Sequence, residues 1–265
     1  YDETTQSFTK TEATNKVEFI FPYDASSTCN FKVNVAYGSN PSIPNSITST
    51  MKIDNLQVLS LTFSAEFSEN LIPTMLAEAL TIDDYTMGME LSRTNTNADI
   101  DYFINKGTTT LMKYTTALEG DMSDNTLISA YSNQNTTAEG ESTDESSDFE
   151  EIEQMSNIVS KITLSAQIMD IKLVASADTK EIVEIARQAE QFEDNDVPPS
   201  KAQMDDICTN LNNTFSCYAM QVSENARIAN IKFFSAATED YGVSYYEPEP
   251  RFEFGDNTTS TFDAY

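Results

Sequence analysis

The segment Phe31-Lys-Val-Asn-Val-Ala-Tyr37 decides how the N-terminal part of this chain folds. Apolar and polar residues alternate along it with a period of two, which is typical of a strand that has one face in a core. Residues 17–21 and 58–63 are rich in β-branched and aromatic residues, and together with residues 51–56 they predict three more strands. We therefore predict that residues 1–131 form a β-rich domain, either an antiparallel sheet or a small sandwich.

The later part of this domain gives weaker signals. Residues 72–80 predict a short helix with Pro73 in its first turn. Residues 102–114 predict a hairpin around Lys106-Gly107. Because the chain has only 7 glycines, we expect few of the tight hairpin turns that require a positive φ.

Residues 132–151 differ in kind from the rest of the chain. No residue between 132 and 148 is apolar and larger than alanine, and residues 139–153 contain eight acidic side chains and no basic one. Such a segment cannot bury a face, so we predict a flexible acidic linker that divides the chain. A solvated spacer is its simplest role, and diffuse calcium binding or phosphorylation at Ser142 or Ser147 are the alternatives.

In residues 152–238 apolar residues recur at intervals of three and four, the spacing of an a/d seam on a helix. Residues 178–181 and 200–203 have the capping-box pattern with which helices begin. Pro198 and Pro199 separate the two arms, so we predict a long antiparallel helical hairpin that resembles a coiled coil. The seam could form an internal core or serve as an assembly surface. It consists of Ile152, Met155, Val159, Ile162, Met169, Leu173, Leu211, Phe215, Tyr218 and Val222.

Residues 239–265 are predicted to be an extended C-terminal segment that ends in a polar tail. Glu247 and Glu249 each precede a proline, which disfavours the helical conformation. The predicted fold class is therefore α+β, with a β-rich N-terminal half and a helical hairpin in the C-terminal half.

The charge of the chain excludes several classes of partner. It has 43 acidic and 15 basic side chains, a formal net charge of -28. Such a chain repels the phosphates of nucleic acid and the surface of an anionic membrane. No run of 18 apolar residues occurs, so we expect no membrane insertion.

Carboxylates are the only catalytic groups present in quantity, because the chain has no histidine. Adjacent acidic pairs occur at Asp83-Asp84, Asp99/Asp101 and Asp205-Asp206, and a glycosidase needs two such carboxyls across a cleft. Pairs of this kind arise by chance in so acidic a chain, and it has no tryptophan to form a carbohydrate platform. We therefore expect no enzyme, with a carboxylate-based hydrolase as the least favoured alternative.

Calcium is the one cofactor that the sequence offers. Residues 97–101 resemble the start of an EF-hand loop, but Tyr102 stands where the glycine belongs and Thr108 where the glutamate belongs. Zinc is disfavoured because the chain has no histidine and its cysteines are scattered. The weak calcium candidates are Asp99, Asp101, Glu139, Glu141, Asp144, Glu145 and Asp148.

Two features indicate a secretory or cell-surface route. The chain begins with Tyr1, which we interpret as the removal of a leader peptide, although a trimmed chain would look the same. Sequons for N-glycosylation occur at Asn135, Asn212 and Asn257, in a composition that could also produce them by chance.

The chain has three cysteines, Cys29, Cys208 and Cys217, so at least one thiol remains unpaired or forms a bond between chains. Cys208 and Cys217 would be about 13 Å apart on a continuous helix, too far for a disulfide. We predict that Cys29 pairs with one of the other two.

These observations favour a secreted, acidic, non-catalytic structural protein that assembles with itself or with another extracellular protein into a filament, matrix or surface layer. Association would use the helical seams, with sheet edges as a second candidate surface, and cations would promote it by screening the charge. The alternative is an adhesin or ligand-binding module with a β domain on a helical stalk.

Overall fold

The structure is a computed structural model that describes residues 14–137, 153–193, 198–240, 243–256 and 258–261. These residues form mostly β-strands, fourteen in all, which are hydrogen-bonded in chain order as an antiparallel sheet. The chain divides into two compact units. The first contains the residues up to Thr94 together with Asp99–Lys113, and the second contains Asn95–Ala98 together with the residues from Tyr114 onward.

The described part of the first unit consists of strands and their turns. Five strands run in register from Thr28 to Arg93, and β1 pairs with the first of them. The hairpin predicted around Lys106-Gly107 is present, with Gly107 at a φ of 55°. The strands are β1 (Lys16–Pro22), β2 (Thr28–Tyr37), β3 (Pro44–Ile53), β4 (Leu56–Phe67), β5 (Pro73–Ile82), β6 (Tyr85–Arg93), β7 (Asn97–Lys106) and β8 (Thr109–Gly120), the last two shared with the second unit.

Asparagine and aspartate occupy the turn positions for which few glycines were available. The β3–β4 turn places Asp54 and Asn55 at φ 47° and 71°, and the β5–β6 turn places Asp83 at φ 53°. These residues tolerate the left-handed region because their short side chains bond to the nearby backbone. Our expectation of few tight hairpin turns was therefore wrong, because it rested on the number of glycines alone.

The second unit combines strands with three helices of at least fourteen residues in its described part. Two hydrophobic clusters lie in it, one around Met122 and Val159 and the other around Met204, Ile207 and Cys208. Its elements are α1 (Asp124–Thr137), β9 (Val159–Ile168), β10 (Ile171–Asp178), α2 (Thr179–Glu193), α3 (Lys201–Thr214), β11 (Ser216–Gln221), β12 (Ala226–Asp240), β13 (Val243–Phe254) and β14 (Thr259–Thr261). Helix α2 packs on β9 and β10, and α3 packs on β12, β13 and α2.

The predicted helical hairpin over residues 152–238 is wrong. Residues 159–178 of its first arm are the β9–β10 hairpin, in which Ile168 and Ile171 face each other across a two-residue turn, and only α2 in the described part of that arm is a long helix. Ile162, Leu164, Ala166 and Ile168 alternate with polar residues, and this period of two prevails over the spacing of three and four. The β-branched residues Ile162 and Ile168 also favour a strand.

The second arm stays helical only over α3. This helix begins as predicted, with the Ser200–Gln203 capping box, but it ends at Thr214. Asn212, Asn213 and Thr214 are weak helix formers, and the side chain of Asn212 bonds both backbone groups of Phe233 at 2.8 Å. The chain therefore turns into β11 and β12 instead of continuing as a helix.

Other local predictions had mixed outcomes. The strands predicted at residues 17–21, 31–37 and 58–63 are confirmed, whereas residues 51–56 contain the end of β3, the Asp54-Asn55 turn and the first residue of β4. The helix that begins after Asp178 is also confirmed, and the Asp178 side chain accepts a hydrogen bond from the Lys180 backbone at 2.9 Å. The helix predicted over 72–80 is strand β5, because its pairing with β4 and β6 outweighs the helix propensity of its Ala, Leu and Glu residues. Residues 132–137 of the predicted linker belong to α1, and residues 138–151 lie outside the described part of the chain.

Candidate functional site

One side of strands β2–β6 carries almost only apolar side chains. Residues directly opposite in an antiparallel pair point to the same side of a sheet. The register places Phe31 opposite Met51 and Leu61 opposite Leu80, and every second residue follows them. We call this surface the apolar face; it consists of Cys29, Phe31, Val33, Val35, Ile47, Ser49, Met51, Leu59, Leu61, Phe63, Ala65, Leu76, Glu78, Leu80, Ile82, Tyr85, Met87, Met89 and Leu91.

The apolar face is not covered as a protein core would be. Among its members only the small residues Cys29, Ser49 and Ala65 are buried. Ile82 and Met87 each expose 43% of their surface, and the other large apolar side chains are at least partly exposed. The described part of the first unit has no helix that could form a second layer. The face is therefore an accessible hydrophobic surface.

The other side of the same strands is polar, and we call it the polar face. Hydroxyl and amide groups bond across the strands there, such as Thr81 to Thr86 at 3.1 Å and Asn34 to Thr48 at 3.2 Å. The polar face consists of Asn30, Lys32, Asn34, Ser46, Thr48, Thr50, Lys52, Ser60, Thr62, Ser64, Glu66, Met75, Ala77, Ala79, Thr81, Thr86, Gly88, Glu90 and Ser92. The contrast between the two faces means that one is suited to water and the other is not.

The apolar face matches in area the largest apolar patches found on monomeric proteins. With strands about 4.8 Å apart and a rise of about 3.4 Å per residue, five strands of about seven residues cover about 570 Å². The largest apolar patch on a typical monomer is about 300–600 Å² and often marks an interaction site. The alternation visible in residues 31–37 already indicated one such strand, but its continuation in phase over five strands required the register.

Glu78 is the one ionisable carboxylate on the apolar face. It lies on β5, opposite Phe63 on β4 and Met89 on β6. Its side chain is exposed, so water solvates the carboxylate in the isolated chain. Covering the face would remove that water.

A second candidate site is a cleft in the second unit between α3, β12 and β13, with a volume of about 390 Å³. Lys201 binds Asp205 at 2.8 Å, and the Ser235 hydroxyl donates a hydrogen bond to the same carboxylate. The lining residues are Lys201, Asp205, Cys208, Thr209, Asn212, Phe233, Phe234, Ser235 and Arg251.

The chemistry of this cleft opposes catalysis by Ser235. The hydrogen bond to Asp205 raises the pKa of Lys201, so the amine stays protonated and cannot accept a proton. The hydrogen bonds from Lys201 and Ser235 lower the pKa of Asp205, which makes it a weak base. Arg251 is likewise paired, with Glu249 at 2.5 Å. The arrangement fits an ion pair that attaches α3 to β12.

The carboxylate pairs singled out in the sequence have local structural roles. Asp83 forms the β5–β6 turn, and the carboxylate of Asp84 lies 3.9 Å from the Lys106 amine. Asp101 lies on β7 and binds Lys113 at 2.9 Å, while Asp99 lies two residues before it on the same strand.

No group of three or more Cys, Asp or Glu residues in the described ranges is arranged to hold a metal ion. The other five calcium candidates, Glu139, Glu141, Asp144, Glu145 and Asp148, lie outside those ranges. Calcium binding by the acidic segment stays a prediction.

The three sequons lie in different settings. Asn135 is in α1, and Asn257 lies outside the described residues. The amide nitrogen of Asn212 donates to the Phe233 carbonyl in a half-buried position. Of the three sequons, Asn212 is thus part of an internal network.

All three cysteines are free thiols in the structure. Cys29 is buried on β2 of the first unit, and Cys208 and Cys217 belong to α3 and β11 of the second. Our assumption that Cys208 and Cys217 share one helix was wrong because α3 ends before Cys217. Burial raises the pKa of both of these thiols, which slows their oxidation. The predicted pairing of Cys29 stays a prediction.

The residues of the predicted seam do not line up on helices. Val159, Ile162, Leu173 and Tyr218 lie on strands, and Leu211 lies on α3. Met155 is in a single helical turn, Phe215 caps α3, and Met169 and Val222 lie in turns; Ile152 is outside the described residues. The seam therefore cannot serve as a helical assembly surface.

No family model, curated protein or solved structure matches this chain. Of the helices in the described ranges, none has the length and apolar character needed to cross a membrane. The function must therefore be argued from the two faces of the first unit and from the charge.

Proposed function

We propose that this protein is a secreted, acidic structural protein that associates with a second copy of itself through the apolar face. The single observation that carries the proposal is the exposure of this face on five adjacent strands. The predicted helical seam is replaced by a sheet surface, and the expectation of self-assembly is retained. The extracellular setting is supported by the sequons, which are used in the secretory pathway.

The area of the face favours a second copy as its occupant. Two apolar faces of about 570 Å² would together bury about 1,100 Å², and a specific interface needs about 1,000 Å². Two sheets that pack face to face form a β-sandwich with a core about 10 Å thick. Such pairing uses the same surface on both copies, so it yields a closed dimer as the unit of any larger structure.

The charge explains why association would depend on cations. A net charge of -28 on each copy opposes their approach. Salt screens this repulsion, with a Debye length of about 10 Å at 0.1 M. We therefore expect the dimer dissociation constant to fall as salt or calcium is added.

The test compares two lysine substitutions on exposed positions of β6. Met87→Lys puts a charge on the apolar face, and Ser92→Lys puts the same charge on the polar face. Sedimentation equilibrium should show a dimer for the wild type and for Ser92→Lys. Met87→Lys should weaken the dimer by about tenfold or more, because pairing would bury an unpaired charge.

Circular dichroism and thermal melting serve as the folding controls for both variants. A wild-type chain that remains monomeric at every salt and calcium concentration up to its solubility limit would overturn the proposal. A monomer that takes up an apolar ligand and is protected by it would instead support the ligand-binding alternative.

A further inference from the structure

We infer that Glu78 makes pairing of the apolar faces dependent on protons, because the carboxyl must be neutral in the paired state. This inference rests on the proposed function. It assigns a pH dependence to one side chain, in addition to the salt dependence that the overall charge produces.

The surroundings of Glu78 on the face contain no group that could compensate its charge. The neighbours directly across are Phe63 on β4 and Met89 on β6, and Leu76 and Leu80 lie two residues away on β5. The diagonal positions on the two flanking strands are Leu61, Ala65, Met87 and Leu91. None of these side chains is titratable or charged.

The position of Glu78 within the sheet makes it difficult to leave outside an interface. Strand β5 has β4 on one side and β6 on the other, so a second sheet that covers the face also covers β5. Removing an ionised carboxylate from water is costly unless it is paired or becomes neutral. The one basic residue of β4–β6, Arg93, lies on the same side at the end of β6 and donates a hydrogen bond to the Pro73 carbonyl at 2.9 Å. The positions around Glu78 therefore supply no cation, so the carboxyl takes up a proton when the faces pair.

Proton uptake gives this device a measurable signature. Each dimer contains two copies of Glu78, so its formation takes up about two protons over the pH range in which separate copies carry the ionised form. The dissociation constant should then fall by up to about 100-fold per pH unit on acidification from this residue alone. Screening by salt also lowers the dissociation constant, but it does not require the dimer to take up protons.

The experiment compares wild type, Glu78→Gln and Glu90→Gln by sedimentation equilibrium between pH 7.5 and pH 4.5 at constant ionic strength. Glu90 is the matched control because it is an exposed glutamate on the polar face of the adjacent strand. At neutral pH, Glu78→Gln should bind at least about tenfold more tightly than wild type. Its plot of log dissociation constant against pH should be less steep than that of wild type by about two, and Glu90→Gln should follow wild type.

The outcomes separate this inference from the proposed function. If Glu78→Gln has the same dissociation constant and slope as wild type, or if Glu90→Gln shifts them as much, the proton device is overturned while face pairing stands. If no variant associates at any pH, face pairing and the proton device both fall. The isosteric change at an exposed position should leave the monomer folded, which circular dichroism checks.

Discussion

Met169 adopts a left-handed backbone conformation, with a φ of 52°, in the two-residue turn between β9 and β10. A residue with a Cβ atom pays about 1–2 kcal/mol in this region, and glycine does not. The Met169 side chain exposes 63% of its surface, so little packing holds it. The backbone strain in this turn is therefore not offset by packing of the Met169 side chain.

The strain predicts an inverted order of stability for two substitutions. Glycine normally destabilises a strand by about 0.5–1 kcal/mol relative to alanine, because it has more freedom in the unfolded chain. At position 169 the relief of about 1–2 kcal/mol exceeds that loss, so Met169→Gly should be more stable than Met169→Ala by about 0.5–1 kcal/mol. For a unit of this size the difference corresponds to about 1–4 °C in Tm.

Ile168 provides the matched control, since it also exposes 63% of its surface and lies on the strand with no positive φ. Ile168→Gly should be less stable than Ile168→Ala by about 0.5–1 kcal/mol. Urea denaturation and thermal melting of the four variants measure both differences. If glycine is the less stable member of both pairs, the argument from backbone strain is refuted.

Three further predictions concern the second unit. Thr179→Val should cost about 1–3 kcal/mol in urea denaturation, because the buried hydroxyl of Thr179 donates to a β9 carbonyl that would lose its partner. Gly120→Ala should reduce the yield of folded protein, because the added Cβ would overlap a backbone oxygen, whereas Gly255→Ala, with open space around it, should have little effect. Hydrogen bonds from Ser223 lower the pKa of Asp170 from its ordinary value of 3.8, so the stability it contributes should be complete above about pH 5 and decline as pH falls. Asp170→Asn should lose that part of the acid dependence in thermal melts from pH 7 to pH 3.

Several strands of the first unit could be predicted from the sequence because apolar and polar residues alternate along them. In residues 31–37 Phe31 and Val33 are each followed by a polar residue and Val35 by a small one, and the structure places these neighbours on opposite faces of β2. Residues 72–80 lacked this signal, since Ala, Leu and Glu suit a helix as well. Only pairing with strands on both sides determines their conformation, and a single sequence does not display pairing partners.

The second unit was misread because two periodicities coexist in residues 159–173. Apolar residues at 162, 166, 169 and 173 fit a helical seam, while those at 162, 164, 166 and 168 fit a strand. The Met169-Asp170 turn makes this segment a strand hairpin instead of a helix, but methionine is not among the residues typical of tight turns. The apolar face was missed for a related reason, because it depends on five strands being in phase.

Strand order equal to chain order also governs how the first unit reaches its native state. Each strand bonds to its neighbours in sequence, and the turns after Ile53 and Ile82 contain only two residues. Closing such short loops costs little chain entropy, and folding rates increase as the sequence separation of contacts decreases. We expect the hairpins to form one after another along the chain, with each paired strand offering its free edge to the next strand. Pairing can therefore begin during synthesis, before the second unit has left the ribosome.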